Sequence, residues 1–179
     1  MQSPIPRQSA GEQRGRRPDG TDADARFSAE LAPVVSGARR RAVRDGDRQI
    51  DTAHLLHSLL EYDPEARTVL GEGPRVARLL GYLVQRSIGY GLRWQAAVED
   101  SGAVPVVTGA AGFSPLAAAA VEAACARAER RGAAGACGVD LLAALVADPR
   151  ARAVEVLARA AVEPQAVLAR VDDHFEATA

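Results

Sequence analysis

The chain contains no lysine: all 22 of its basic residues are arginine. A phosphate-cradling loop of the Walker type ends in Lys-Ser or Lys-Thr, so an ATP-driven motor is excluded. Aromatic side chains are scarce at 4%, against 47% apolar residues overall. A core must therefore be filled by Ala, Leu and Val, which suits closely packed helices better than a sheet. The two cysteines, Cys125 and Cys137, are too few for a disulfide scaffold and lack the spacing of a metal site. They read as small buried thiols in a reducing compartment. No run approaches the roughly 20 apolar residues of a membrane span, and the polar N-terminus has no signal-peptide core. The expected location is cytoplasmic, without a membrane partner. A net charge of −1 gives no basic excess for nucleic acid. The all-arginine usage, beside so much Ala and Gly, reads as the codon bias of a GC-rich bacterial genome.

Residues 1–25 are rich in Gly, Pro, Ser, Gln and Arg and lack hydrophobic periodicity, which predicts a disordered tail. From Phe27 the pattern turns helical. Ser28 is placed to cap a helix whose Leu31, Val34, Val35, Ala38 and Ala42 share one face, ended by Asp45-Gly46. Thr52 is placed to cap a second helix carrying Leu55, Leu56, Leu59 and Leu60. Asp63-Pro64 opens a third, reaching Leu70, and Pro74 a fourth with Val76, Leu79, Leu80, Leu83 and Val84. Residues 87–112 form a glycine-rich insert longer than ordinary connections. The pattern then restarts. Phe113-Ser114-Pro115 leads a long helix stopped by Gly132, Leu141, Leu142 and Leu145 mark a second helix, Asp148-Pro149 a third, and Pro164 a fourth.

The two runs match in register. Phe27 and Leu55 lie 86 residues before Phe113 and Leu141, Pro64 lies 85 before Pro149, and Leu70 lies 87 before Leu157. Four landmarks agree within about a residue, which marks an internal repeat. The expected fold is all-α: two pseudo-symmetric four-helix repeats, about residues 27–86 and 113–175, packed as one domain over 27–175.

FSAELAPVVSGARRRA at 27–42, followed by IDTAHLLHSLL at 50–60, resembles the N-terminal repeat of Clp-type protein unfoldases. FSPLAAAAVEAACARAERRG at 113–132 with GVDLLAALV at 138–146 fits the same template more loosely. The resemblance implies a stand-alone binding or regulatory module without ATPase modules, catalysis or cofactor. Its implied partners are proteins or peptides: Clp substrates, adaptors, Clp machinery or a cyclic-peptide antibiotic. Modulation or decoying of a Clp protease would follow. The alternative is a scaffold protein that kept the fold and meets unrelated partners through its insert and tail.

The resemblance also implies where ligands would sit. The family motif Thr-Glu-His corresponds to Thr52, Ala53 and His54 in the first repeat and to Gly138, Val139 and Asp140 in the second. The Glu that grips the guanidinium of phosphorylated arginine in some members is missing from both copies, and that ligand needs an anionic partner. Phe27 and Phe113 correspond to aromatics near the pseudo-two-fold, where peptides dock, and also read as ordinary hydrophobic staples. Arg39 and Arg40, with Arg41 and Arg44, make a basic cluster that is either solvated or able to receive an acidic adaptor loop. His54 and His57, at i, i+3 near Asp51, have no recognisable third metal ligand, so no metal is expected. Tyr82, and Tyr90 and Trp94 of the insert, are the remaining candidate contact residues.

Overall fold

The computed structural model describes residues 28–29, 31–71, 73–87, 99 and 112–178. Most of the tail and insert, with Phe27, Tyr90 and Trp94, therefore lie outside the described residues. Eight helices make up these regions: α1 Leu31–Asp45, α2 Thr52–Tyr62, α3 Pro64–Leu70, α4 Gly73–Ser87, α5 Pro115–Arg130, α6 Gly138–Ala147, α7 Arg152–Arg159 and α8 Pro164–Ala177. Among the described residues there is no strand, only one isolated parallel bridge between Ile50 and Phe113. None of the described helices is long and apolar enough to cross a membrane.

Local chemistry sets most boundaries. Ser114 accepts the Ala117 amide to cap α5, and Asp63 accepts the Ala66 amide to cap α3, each followed by a proline that needs no hydrogen-bond partner. Three helices end in the same motif. Backbone bonds run from Asp47 to Ala42, Ala133 to Ala128 and Val162 to Leu157 around a residue in the left-handed conformation. That residue is Gly46 at φ 72° and Gly132 at φ 71°, but Ala161 at φ 56°. Other boundaries differ from the sequence expectation. Asp51, not Thr52, is the N-cap of α2, because its carboxylate accepts the His54 amide at 2.8 Å. Ser28 does not cap α1: its hydroxyl is buried without a partner, and only its carbonyl accepts the Leu31 amide. Asp148-Pro149 forms a turn closed by Asp148 and Arg150, and α7 begins at Arg152.

The helices form two four-helix halves related by the sequence offset, α1–α4 and α5–α8. Within each half the long first helix packs on the second. At Gly37 an added Cβ would lie 2.7 Å from Tyr62 and 2.9 Å from Ser58, so α1 and α2 approach as closely as a glycine allows. The second helices form the centre. Leu55, Leu56, Leu59 and Leu60 of α2 join Leu141, Leu142 and Leu145 of α6, with Leu31, Leu70, Leu79 and Leu157 around them, all buried in one cluster. Each such leucine removed from water contributes about 1.5–3 kcal/mol. Val84, expected on the apolar face of α4, is instead about half exposed at 49%.

The halves exchange backbone bonds where their first helices begin. The Ser114 amide donates to Ile50 (2.8 Å) and the Ile50 amide to Gly112 (2.6 Å). In the mirror position the Ser28 amide donates to Ala136 (2.9 Å). Each half thus supplies an extended residue that fixes the start of the other.

Candidate functional site

The helix starts that face the other half converge on carboxylates. Thr52, the first residue of α2, has an amide with no acceptor inside its helix. Glu99, from the segment between α4 and α5, supplies one: its carboxylate accepts the Thr52 amide at 2.9 Å and the Thr52 hydroxyl in a close bond. It also accepts the Ser114 hydroxyl at 2.6 Å and the Arg152 amide at 2.7 Å. The Thr52 hydroxyl in turn accepts the Ala153 amide at 3.1 Å. Two helix N-termini and two hydroxyls therefore converge on one carboxylate that is only 4% exposed.

The offset of 86 residues maps Thr52 to Gly138, Ser114 to Ser28 and Arg152 to Ala66. In this second cradle the acceptor is Asp63, which holds the Ala66 amide at 2.8 Å. A Cβ added to Gly138 would lie 1.7 Å from Asp63 Oδ2. The carboxylate fills the space a side chain would need, which accounts for glycine where the resemblance implies threonine. Asp140, at the place of His54, accepts the Cys137 amide at 3.1 Å, as His54 Nδ1 accepts the Asp51 amide at 3.1 Å. Asp140 is fully buried and paired with Arg131. Burial pushes the Cys137 thiol up in pKa, with the Asp140 charge beside it acting the same way, so it is not an activated nucleophile.

A charged network lies beside the first cradle. Asp51 is buried and paired with Arg86 and with Arg152 Nη1 (2.7 Å), the latter from the other half. Burial alone would raise its pKa, but hydrogen bonding to His54 and the charges of Arg86 and Arg152 outweigh it and hold the carboxyl well below the usual range. His54 Nε2 lies 3.1 Å from Asp47 and 3.7 Å from Asp45, and the three side chains bring donor atoms within 4.8 Å of one another. These carboxylate oxygens already accept from Arg86 Nη2 (3.1 Å) and the Ser87 hydroxyl (3.0 Å). The arrangement is an ion-pair and hydrogen-bond network in which a cation would compete with an arginine for the same oxygens. His57 is elsewhere, beside Arg41 and Glu61. Burial, then the Arg41 charge, pushes its pKa down to about 4.

Of the residues singled out in sequence, Thr52 and His54 stand together in this region. Ala53 and Val139, at the motif Glu positions, are core residues with 0% exposure and offer no anionic partner. Phe113 is half-buried against the core beside Ile50. Arg39 is exposed, Arg40 donates to the Tyr62 hydroxyl at 3.1 Å, and Arg41 pairs with Glu61, so the cluster is partly neutralised. Tyr82 packs at the core edge. Glu99 was not anticipated. Its sole sequence signal is that it and Asp100 are the carboxylates of an otherwise uncharged or basic stretch.

Next to Thr52, a groove of about 370 Å³ runs between α5 and the α6–α7 turn. It is lined by Leu116, Ala119, Ala120, Ala123, Ala144 and Ala147, with Asp148 and Arg150 at its rim.

Two four-helix halves crossed at their starts define a helical double-repeat domain of the Clp N-terminal type. The structure superposes on the N-terminal domain of the caseinolytic protease-associated chaperone ClpD from Arabidopsis thaliana with a TM-score of 0.61 at 21% identity, covering 84% of this chain and 95% of that one. A second match, from preliminary structural investigations of a malarial protein secretion system, has a TM-score of 0.60 at 15% identity and the same coverage of 84% and 95%. No family model matches the sequence, and no curated protein is significantly similar to it. The likeness is therefore one of fold, and the fold is that of a Clp N-domain.

Proposed function

We propose that this protein is a non-catalytic binding module that takes an extended peptide segment in the alanine-lined groove beside Thr52. The observation that carries the reading is the groove itself. Its floor of small side chains lets a peptide backbone approach closely, and the Asp148–Arg150 ion pair stands at its rim. The Clp N-domain fold supports the same class of function, since such domains are protein-interaction modules. The partner proposed is a segment of a Clp substrate, adaptor or machinery component, a cyclic peptide being a compact version of the same ligand. The protein then acts in the cytoplasm as a regulator or decoy of Clp proteolysis.

The test is fluorescence anisotropy of a labelled library of extended, small-residue peptides against the full chain. Ala119→Arg with Ala123→Arg fills the groove at exposed positions. Binding should weaken about tenfold or more, the scale of about 1.4 kcal/mol per decade, with an unchanged melting curve. Peptides that bind the variant as well as the wild type would refute the groove, and a library without any binder would refute the function.

A further inference from the structure

The end of α1 and the start of α2 bring three ligand-type side chains to one point. Asp45 is the last residue of α1, and Gly46 at φ 72° reverses the chain so that Asp47 returns beside it, its amide donating to Ala42 at 2.9 Å. His54, in the first turn of α2, has a side chain that is 0% exposed. Its Nε2 is turned toward the two acids, 3.1 Å from Asp47 Oδ2 and 3.7 Å from Asp45 Oδ2, yet it makes no hydrogen bond among the described residues. A buried imidazole nitrogen left unmated is costly, and such an atom asks for a partner. The three donor atoms lie within 4.8 Å of one another. Donors about 2.0–2.2 Å from a tetrahedral ion stand about 3.3–3.6 Å apart, so the triangle is close to the size of a metal's ligand face. The second half differs at the same place. The 86-residue offset turns Asp45, Asp47 and His54 into Arg131, Ala133 and Asp140, and there Arg131 itself supplies the positive charge opposite the buried acid.

We propose that Asp45, Asp47 and His54 form a binding site for one first-row divalent cation of the Zn²⁺ type, with water completing its coordination. One imidazole nitrogen with two carboxylates favours such an ion over Mg²⁺ or Ca²⁺, which prefer oxygen ligands. The outer partner is in place. His54 Nδ1 accepts the Asp51 amide at 3.1 Å and lies 2.9 Å from Asp51 Oδ1. With its proton on Nδ1 the imidazole donates to that carboxylate and leaves the Nε2 lone pair for the ion. The ion must displace two donors, and each has a second acceptor. Arg86 gives up Asp47 and keeps its close pair with Asp51. The Ser87 hydroxyl gives up Asp45 and keeps the Leu83 carbonyl at 3.4 Å. The charges of Arg44, Arg86 and Arg152 nearby oppose the ion, which makes the binding reversible rather than that of a permanent structural metal. The inference is independent of the groove and of any peptide in it.

The test titrates the full, chelator-stripped chain with Zn²⁺ by calorimetry and follows its three imidazoles, His54, His57 and His174, by NMR. One ion per chain should bind, moving the His54 ring nitrogens and leaving those of His57 and His174 in place. Asp47→Asn and Asp45→Asn should each weaken binding about tenfold or more, at least the loss that follows removal of an outer-shell partner. His174→Gln, at the surface beside Glu65, should change nothing. A wild type that takes up no Zn²⁺ at millimolar concentration overturns the proposal. So does uptake that disappears with His174→Gln or leaves the His54 signals unmoved, which would be an adventitious ion only. Equal affinity in the wild type and in a folded Asp47→Asn or Asp45→Asn also overturns it. Should neither variant fold, the His54 signals of the wild type decide alone, shifted for the proposal or unshifted against it. Peptide binding in the groove is read separately by anisotropy, so its failure and the failure of the metal site are distinct.

Discussion

Replacing Gly138 by alanine isolates the second cradle, and its cost can be worked from distances. The new Cβ would sit 1.7 Å from Asp63 Oδ2, 2.5 Å from its Cγ and 3.1 Å from Leu59 Cδ1. The carboxylate must move, and it is held by its bond to the Ala66 amide at 2.8 Å. Losing that cap costs about 1 kcal/mol. Wedging a methyl against Leu59, which is fully buried, adds about 1–3 kcal/mol of overpacking. Alanine's better helix propensity returns less than about 1 kcal/mol at a helix start. The net is a destabilisation of about 2 kcal/mol, or about 4–8 °C in Tm for a domain of this size. Chemical and thermal denaturation of Gly138→Ala, Asp63→Ala and the double variant form the cycle. With the carboxylate gone, the methyl has room, so the double variant should cost clearly less than the sum of the singles. Additive costs, or a Gly138→Ala variant as stable as wild type, would show that Asp63 does not exclude a side chain at this position.

The remaining expectations test other parts of the fold. His57, with its pKa pushed down from 6.5 to about 4, stays neutral when folded while the unfolded chain takes up a proton. Stability should therefore fall by about 2.5 kcal/mol as pH drops from 6.5 to 4 and level off only above about pH 7.5. Denaturation of His57→Gln should lose that slope, and an unchanged slope refutes the assignment. Asp51→Asn weakens the buried pairs with Arg86 and Arg152 and should cost about 3 kcal/mol by urea denaturation, whereas a loss under 1 kcal/mol contradicts a buried network. Ala161→Gly relieves a left-handed alanine at φ 56° and should raise stability by about 0.5 kcal/mol, the relief of about 1 kcal/mol being partly offset by glycine's greater unfolded entropy. A drop in Tm would show that the strain is not there.

The elements that could be read in the sequence are those coded locally. The helix faces of Leu31–Ala42 and Leu55–Leu60 follow from 3.6-residue periodicity, and the repeat from a constant offset between unlike landmarks. Where two adjacent residues can do one task, sequence alone chose wrongly. Asp51 and Thr52 can both cap, and the carboxylate won because it reaches the His54 amide while Thr52 turns its hydroxyl to Glu99. Asp148-Pro149 has the same two letters as Asp63-Pro64, yet Asp148 closes on Arg150, and the helix waits for Arg152. The site itself was half legible. The motif pointed to Thr52, His54 and the loss of both Glu positions, but Glu99 reaches its partners across 15 to 53 residues, and no local pattern encodes such a contact.

The crossed backbone bonds between Ile50 and Ser114 and between Ser28 and Ala136 have a consequence for how the molecule can be divided. A four-helix half made alone would leave its first amide and its extended residue without mates, at helix starts where water would replace a buried partner. Its nearest remedy is a second copy of itself, since the surface it offers is the surface it needs, and two copies would meet about a true two-fold axis. A chain cut between Ser87 and Gly112 should likewise yield fragments that find each other in solution, because the bonds that join the halves are not the covalent link between them. The two repeats are in effect a dimer whose subunits have been written on one strand.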